Sequence, residues 1–171
     1  GGKDRTTINT WSFTDGAFAG TNCVFFLNDS LGWIGGTTNS INDTALIKTL
    51  DQGHTWVYYK DSASIYDLVF VNPDTGWCVA GNKVKRSVDG GKTWSTQLQL
   101  SSGTFLSSIF FIDKSIGWVV GESNFIRRTA NGGATWTAYP SGGNIALMND
   151  VFFIDANNGW AVGNEVIGGE N

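Results

Sequence analysis

The chain has 171 residues, a net charge of −4 and a pI near 4.7. Such a balance argues against non-specific binding to nucleic acid or to an anionic membrane, both of which need a basic field. No apolar run approaches the roughly 18 residues of a membrane-spanning helix. Charged residues are only 15% of the chain, beside 23 glycines, 8 tryptophans and 11 phenylalanines, which predicts short strands and tight turns rather than disorder.

In chain order, residues 6–13 read as a lone strand and the rest of 1–21 as its connection. A first full repeat spans 22–60, with strands at 22–27, 32–36, 45–49 and 55–59 and an irregular insertion at 37–43. A second spans 65–97 and a third 107–140. Residues 149–171 then supply three strands, at 150–154, 160–163 and 165–167. β-branched and aromatic residues fill these runs, as a pleated, packed surface requires.

The periodicity fixes the architecture. Gly-Trp pairs end at Trp33, Trp77, Trp118 and Trp160, spaced 44, 41 and 42 residues apart, and Thr-Trp pairs end at Trp11, Trp56, Trp94 and Trp136. All eight tryptophans fall in these two series. A period of about 40 to 50 residues with four short strands per unit is that of a propeller blade. The expectation is therefore a single all-β domain over 1–171: a β-propeller of four four-stranded antiparallel blades, the last blade completed by the N-terminal strand. Trp33, Trp77, Trp118 and Trp160 are its expected blade-core tryptophans.

Before Trp56, Trp94 and Trp136 lies a turn of one type, which is not recognisable before Trp11. It is carried by Asp51, Gly53, Thr55 and Trp56, by Asp89, Gly91, Thr93 and Trp94, and by Asn131, Gly133, Thr135 and Trp136. In such an Asp-box a short side-chain acceptor bonds backbone N–H groups across the turn, glycine takes the positive φ, and tryptophan packs beneath. A calcium or sugar site is the functional alternative. Each box offers one carboxylate or amide, whereas a hard cation takes six or more oxygens, so no metal and no cofactor is expected.

Catalysis finds little support. The one histidine, His54, sits in an exposed turn, so a histidine metal site and a Ser/His/Asp triad are both unavailable. Glu122, Glu165 and Glu170 are the only glutamates, and none stands in a catalytic motif. At the mouths of the innermost strands lie Cys23, Asp67, Ser108 and Asp150. If four blades close, Asp67 and Asp150 face each other across the axis, as a channel ion site or as ordinary strand-end acceptors. Cys23 and Cys78 read as free thiols.

Units of the form [I/V]-F-F-[I/V]-D-x-x-x-G-W-x-V-G followed by I-R-R-T-x-N-G-G-x-T-W resemble the propeller repeats of the photosystem II assembly and stability factor-like family, related to the BNR/Asp-box propellers. In that family an arginine patch is thought to hold the client. The resemblance therefore implies that Lys48, Arg86 and Arg128, with the adjacent Lys85 and Arg127, are candidates for an acidic partner; intra-blade pairing is the alternative. Three functions follow. The leading expectation is a non-catalytic extracellular or periplasmic protein that assembles with other copies of itself through strands or faces. The second is an assembly factor that binds an acidic client peptide, and the third an Asp-box glycan-binding or glycosidase-like protein.

Overall fold

The computed structural model describes residues 19–38, 44–60, 63–140 and 145–165. Fourteen strands are found among them. The first sheet pairs β1 (Gly20–Phe26), β2 (Gly32–Thr37), β3 (Thr44–Thr49) and β4 (Val57–Lys60) in sequence order. The second does the same with β5 (Asp67–Phe70), β6 (Gly76–Ala80), β7 (Lys83–Ser87) and β8 (Ser95–Gln99). The third is built from β9 (Leu106–Phe111), β10 (Gly117–Gly121), β11 (Phe125–Thr129) and β12 (Thr137–Ala138). The fourth contributes β13 (Ile145–Phe153) and β14 (Gly159–Glu165). Each sheet is an antiparallel meander, and the sheets are the blades of a β-propeller, as the period predicts.

Two details differ from expectation or lie beyond the described residues. Glu165 ends the second strand of the fourth blade rather than beginning a third, because the β13–β14 pairing runs on to Ile145↔Glu165. The expected closing strand at 6–13 and the remainder of the third strand fall outside the described residues.

The Gly-Trp pair has a physical cause visible in the register. Phe26, Phe70, Phe111 and Phe153 lie directly opposite Gly32, Gly76, Gly117 and Gly159. A Cβ on Gly32, Gly76 or Gly117 would meet its partner's ring at 2.5 to 2.6 Å. Glycine thus leaves room for the phenylalanine to lie flat across the neighbouring strand. For Phe70, Phe111 and Phe153 the ring's other side is taken by a tryptophan of the preceding blade. Trp33 stacks on Phe70 at 3.8 Å, Trp77 on Phe111 at 3.7 Å and Trp118 on Phe153 at 3.5 Å.

The core accordingly lies between blades. Trp33, Leu46, Leu68 and Phe70 form one cluster, Trp77, Val84, Ile109 and Phe111 the next, and Trp118, Ile126, Val151 and Phe153 the third. Innermost strands contact their successors, β1 with β5, β5 with β9 and β9 with β13, so the blades succeed one another around an arc.

Trp160 is the exception, and here the structure corrects the sequence reading. Trp33, Trp77 and Trp118 are 0% exposed, whereas Trp160 is 60% exposed, together with Phe152, Ile154 and Val162 on the same side of the fourth blade. A Gly-Trp tryptophan is buried by the blade that follows it. Among the described residues nothing follows the fourth.

Candidate functional site

Each Asp-box closes through the same bonds. Asp51 Oδ1 accepts from the Thr55 amide at 2.8 Å, and its Oδ2 accepts from the Thr55 hydroxyl at 2.6 Å. Asp89 repeats this with Thr93 at 2.9 and 2.6 Å. In the third blade Asn131 Oδ1 accepts from the Thr135 amide at 2.9 Å, while its Nδ2 donates to the Thr135 hydroxyl at 2.9 Å. Gly53, Gly91 and Gly133 hold φ values of 86°, 94° and 91°, in the left-handed region that costs other residues free energy.

A further residue in each box escaped the sequence reading. Thr49, Ser87 and Thr129, two positions before the acceptor, are almost fully buried. Their hydroxyls accept from the amides of Gly53, Gly91 and Gly133 at 2.8, 2.8 and 2.9 Å. They donate to Asp51, Asp89 and Asn131. The only signal was a hydroxyl residue at one fixed position in all three repeats.

With so many donors the carboxylates stay charged. The Thr55 hydroxyl and amide hold Asp51 down at about 2. Burial pushes Asp89 up, but the Thr93 hydroxyl and amide and the Ser87 hydroxyl outweigh it and leave it at about 2. The boxes are filled by their own bonds, which fits a structural role. Among the described residues no group of three metal-ligating side chains stands together.

Below the turns, Trp94 and Trp136 meet Phe70 and Phe111 edge-on at 6.0 Å. The turns also reach the preceding blade: Trp33 Nε1 donates to Gly90 O and Trp77 Nε1 to Gly132 O, both at 3.0 Å.

The five cations fall into two sets, because successive residues of a strand face opposite sides. Lys48, Arg86 and Arg128 pair in register with Trp33, Trp77 and Trp118 and lie over their rings at 5.1, 5.5 and 5.6 Å from the centroids. All three are half-buried. Burial lowers the Lys48 ammonium, and Asp74 offsets this. Lys85 and Arg127 take the opposite face, with Arg127 over the Phe125 ring at 4.4 Å and donating to Ile126 O at 3.0 Å. The structure thus aligns three of the five candidates into a ladder and sets the other two apart.

At the strand mouths, Asp67 of the second blade and Asp150 of the fourth are linked through Ser108 of the third. Ser108 Oγ lies 2.8 Å from Asp67 Oδ2 and 2.9 Å from Asp150 Oδ1. Amides supply the other bonds, Leu68 and Ile109 to Asp67 and Val151 to Asp150. Burial raises Asp67, and the Asp150 charge adds to this. A serine hydroxyl has one proton to give, so it satisfies one carboxylate at a time. Burial, with Asp67 nearby, pushes the Cys23 thiol up to about 12.

A family profile described as photosynthesis system II assembly factor YCF48 matches residues 58–143. Among solved structures the chain is similar to YCF48 bound to D1 peptide, at 22% identity and a TM-score of 0.57, covering 70% of this chain and 40% of that one. It is also similar to YCF48 from Cyanidioschyzon merolae, at 16% identity and a TM-score of 0.63, covering 86% and 49%. A GH74 enzyme from Niastella koreensis, at 16% identity and a TM-score of 0.66, covers 80% and 25%. At these identities the likeness is one of fold, and the chain spans less than half the length of each. A search of curated proteins found no match.

Proposed function

Because the chain belongs to the photosynthesis system II assembly factor YCF48 family, we propose that it is a non-catalytic protein-binding propeller that holds an acidic segment of a client polypeptide on its cation ladder. The observation that carries this reading is the placement of Lys48, Arg86 and Arg128 at one register position of three successive blades. Each head group is held over a tryptophan ring, so little side-chain freedom remains to be lost on binding. A relative with this fold has been solved bound to a D1 peptide. The chain itself carries a net charge of −4, which makes a local basic ladder a selective feature rather than part of a general basic field.

The test is fluorescence anisotropy with a labelled deca-glutamate peptide. Arg86→Glu combined with Arg128→Glu should weaken binding at least about tenfold, and rising salt should weaken it further. Binding that survives both changes sinks the proposal.

A second reading, self-association of a protein located outside the cytoplasm, draws on the uncovered face of Phe152, Ile154, Trp160 and Val162. Light-scattering mass on a sizing column tests the association: a concentration-dependent rise lost in Trp160→Glu supports it, and a constant monomer mass refutes it. Secretion is tested separately by cell fractionation.

A further inference from the structure

The first two rungs of the cation ladder have the same backbone around them and different charges. At both junctions the box of the following blade is bonded alike. Gly90 N–H donates to Asp74 O at 2.9 Å and Gly132 N–H to Ser115 O at 2.8 Å, and each glycine's carbonyl takes an indole N–H of the blade before. The turn between the first two strands is shared as well. Asn72 Oδ1 accepts from the Asp74 and Thr75 amides, and Asp113 Oδ1 from those of Ser115 and Ile116. Asp74 is therefore matched by Ser115, and Asp89 by Asn131.

At the first junction the cation already has its counter-charges. The Lys48 ammonium is lodged on the box turn, where a Cβ on Gly90 would lie 2.5 Å from Nζ and 2.9 Å from the Pro73 carbonyl. Asp74 and Asp89 both favour its charge, and Lys92 opposes them. Two cations thus balance two carboxylates. At the second junction both acidic positions are neutral, Ser115 and Asn131. A Cβ on Gly132 would meet the Lys114 carbonyl at 2.7 Å and the Trp77 ring at 3.8 Å, ahead of any atom of Arg86, so the guanidinium is not lodged on that turn. Lys114 stands where the first junction has Pro73, and Asp113 gives Oδ1 to its own turn's amides. The second junction lies wholly within residues 63–140, all of them described.

We propose that Arg86 is the rung that takes a carboxylate of the client's acidic segment, and that Asp74 and Asp89 close the Lys48 rung to the same ligand. The proposal rests on the client-binding reading above and assigns the junction that selects the acidic side chain. Arg86 Nε is buried, so the carboxylate meets the Nη atoms. A guanidinium offers paired N–H groups to a carboxylate, and one already held over the Trp77 ring loses little freedom in pairing. Lys48 keeps a structural part, holding the second blade's box turn against the first blade.

Anisotropy of labelled deca-glutamate at constant ionic strength tests the assignment. Ser115→Asp combined with Asn131→Asp sets beside Arg86 the acids that flank Lys48, and should weaken binding about fivefold or more, as Arg86→Gln should. Asp74→Ser combined with Asp89→Asn frees Lys48 and should tighten binding by a similar factor. Ser101→Asp combined with Ser102→Asp adds the same charge at the other end of the strands, by the Asn82 turn, and should weaken binding by less than about twofold. A urea midpoint for each variant shows that the fold is intact. Binding unmoved by Ser115→Asp with Asn131→Asp, or weakened as much by the changes at Ser101 and Ser102, overturns the proposal. So does binding that stays the same when Asp74 and Asp89 are neutralised. If the charge swaps leave binding unchanged while Arg86→Glu with Arg128→Glu abolishes it, the client reading stands without this assignment; if the wild-type protein does not bind deca-glutamate, both fall.

Discussion

Replacing Trp77 by Phe and, separately, Trp118 by Phe makes one chemical change at two equivalent positions. Both indoles are 0% exposed, both stack on a phenylalanine at 3.7 or 3.5 Å, and both carry an arginine at 5.5 or 5.6 Å. The shared loss of packing should cost about 1–2 kcal/mol, the scale of one or two buried methylene groups. The difference lies in the N–H. Trp77→Phe also removes the bond to Gly132 O and strands a buried carbonyl, a further cost of about 1–3 kcal/mol. Trp118→Phe removes a donor that has no acceptor, so no such cost arises. Trp77→Phe should therefore be the more damaging by about 1–3 kcal/mol. Urea unfolding followed by far-UV circular dichroism measures this, provided the m-values match. Equal destabilisation would refute the reasoning, because it would mean that Trp118 has an acceptor in solution or that the Trp77 bond contributes nothing.

Gly76→Ala should cost about 1–3 kcal/mol through overpacking, since the new methyl lies 2.5 Å from the Phe70 ring; a thermal melt unchanged from wild type contradicts the tuck. Asp89→Asn should be nearly neutral at pH 7, because Asn131 already makes the equivalent bonds, whereas Asp89→Ala should cost about 1 kcal/mol or more. Asp51 and Asp89 are held at about 2 in the folded chain, below their ordinary 3.8. Their stabilisation is thus full above about 4 and fades as pH falls towards 2, and a urea midpoint measured across that range should flatten in the double Asn variant. Cys23, pushed up to about 12, and the buried Cys78 should react with a thiol reagent at pH 8 far more slowly than in the urea-unfolded chain; fast modification of the native protein would show the site to be open.

The blades were legible because their cause is local. A phenylalanine, a glycine opposite it and a tryptophan beside that glycine recur in every unit, and the Asp-box acceptor bonds its threonine within four residues. What stayed hidden depends on register or on neighbours. The pairing of Lys48 with Trp33 needs the β2–β3 alignment, and the split between Arg127 and Arg128 needs to know which face each takes. Trp160 matches Trp118 in sequence context and differs from it only in what lies beyond. The buried hydroxyls of Thr49, Ser87 and Thr129 were missed because a serine or threonine at a strand end carries no mark of burial. The bridge from Ser108 to Asp67 and Asp150 stayed hidden because a serine at a strand mouth carries no mark of what its hydroxyl reaches.

Among the described residues the inner strands, each touching the next, form a linear array. In such an array stability resides in nearest-neighbour interfaces, and the ends hold fewer of them than the middle. The second blade is stacked through Phe70 on one side and Trp77 on the other, whereas among the described residues the fourth is stacked only through Phe153. Amide hydrogen exchange should therefore be slowest in β5, β6, β9 and β10 and should quicken towards β14. The fourth blade can then open and reclose while the second and third stay folded.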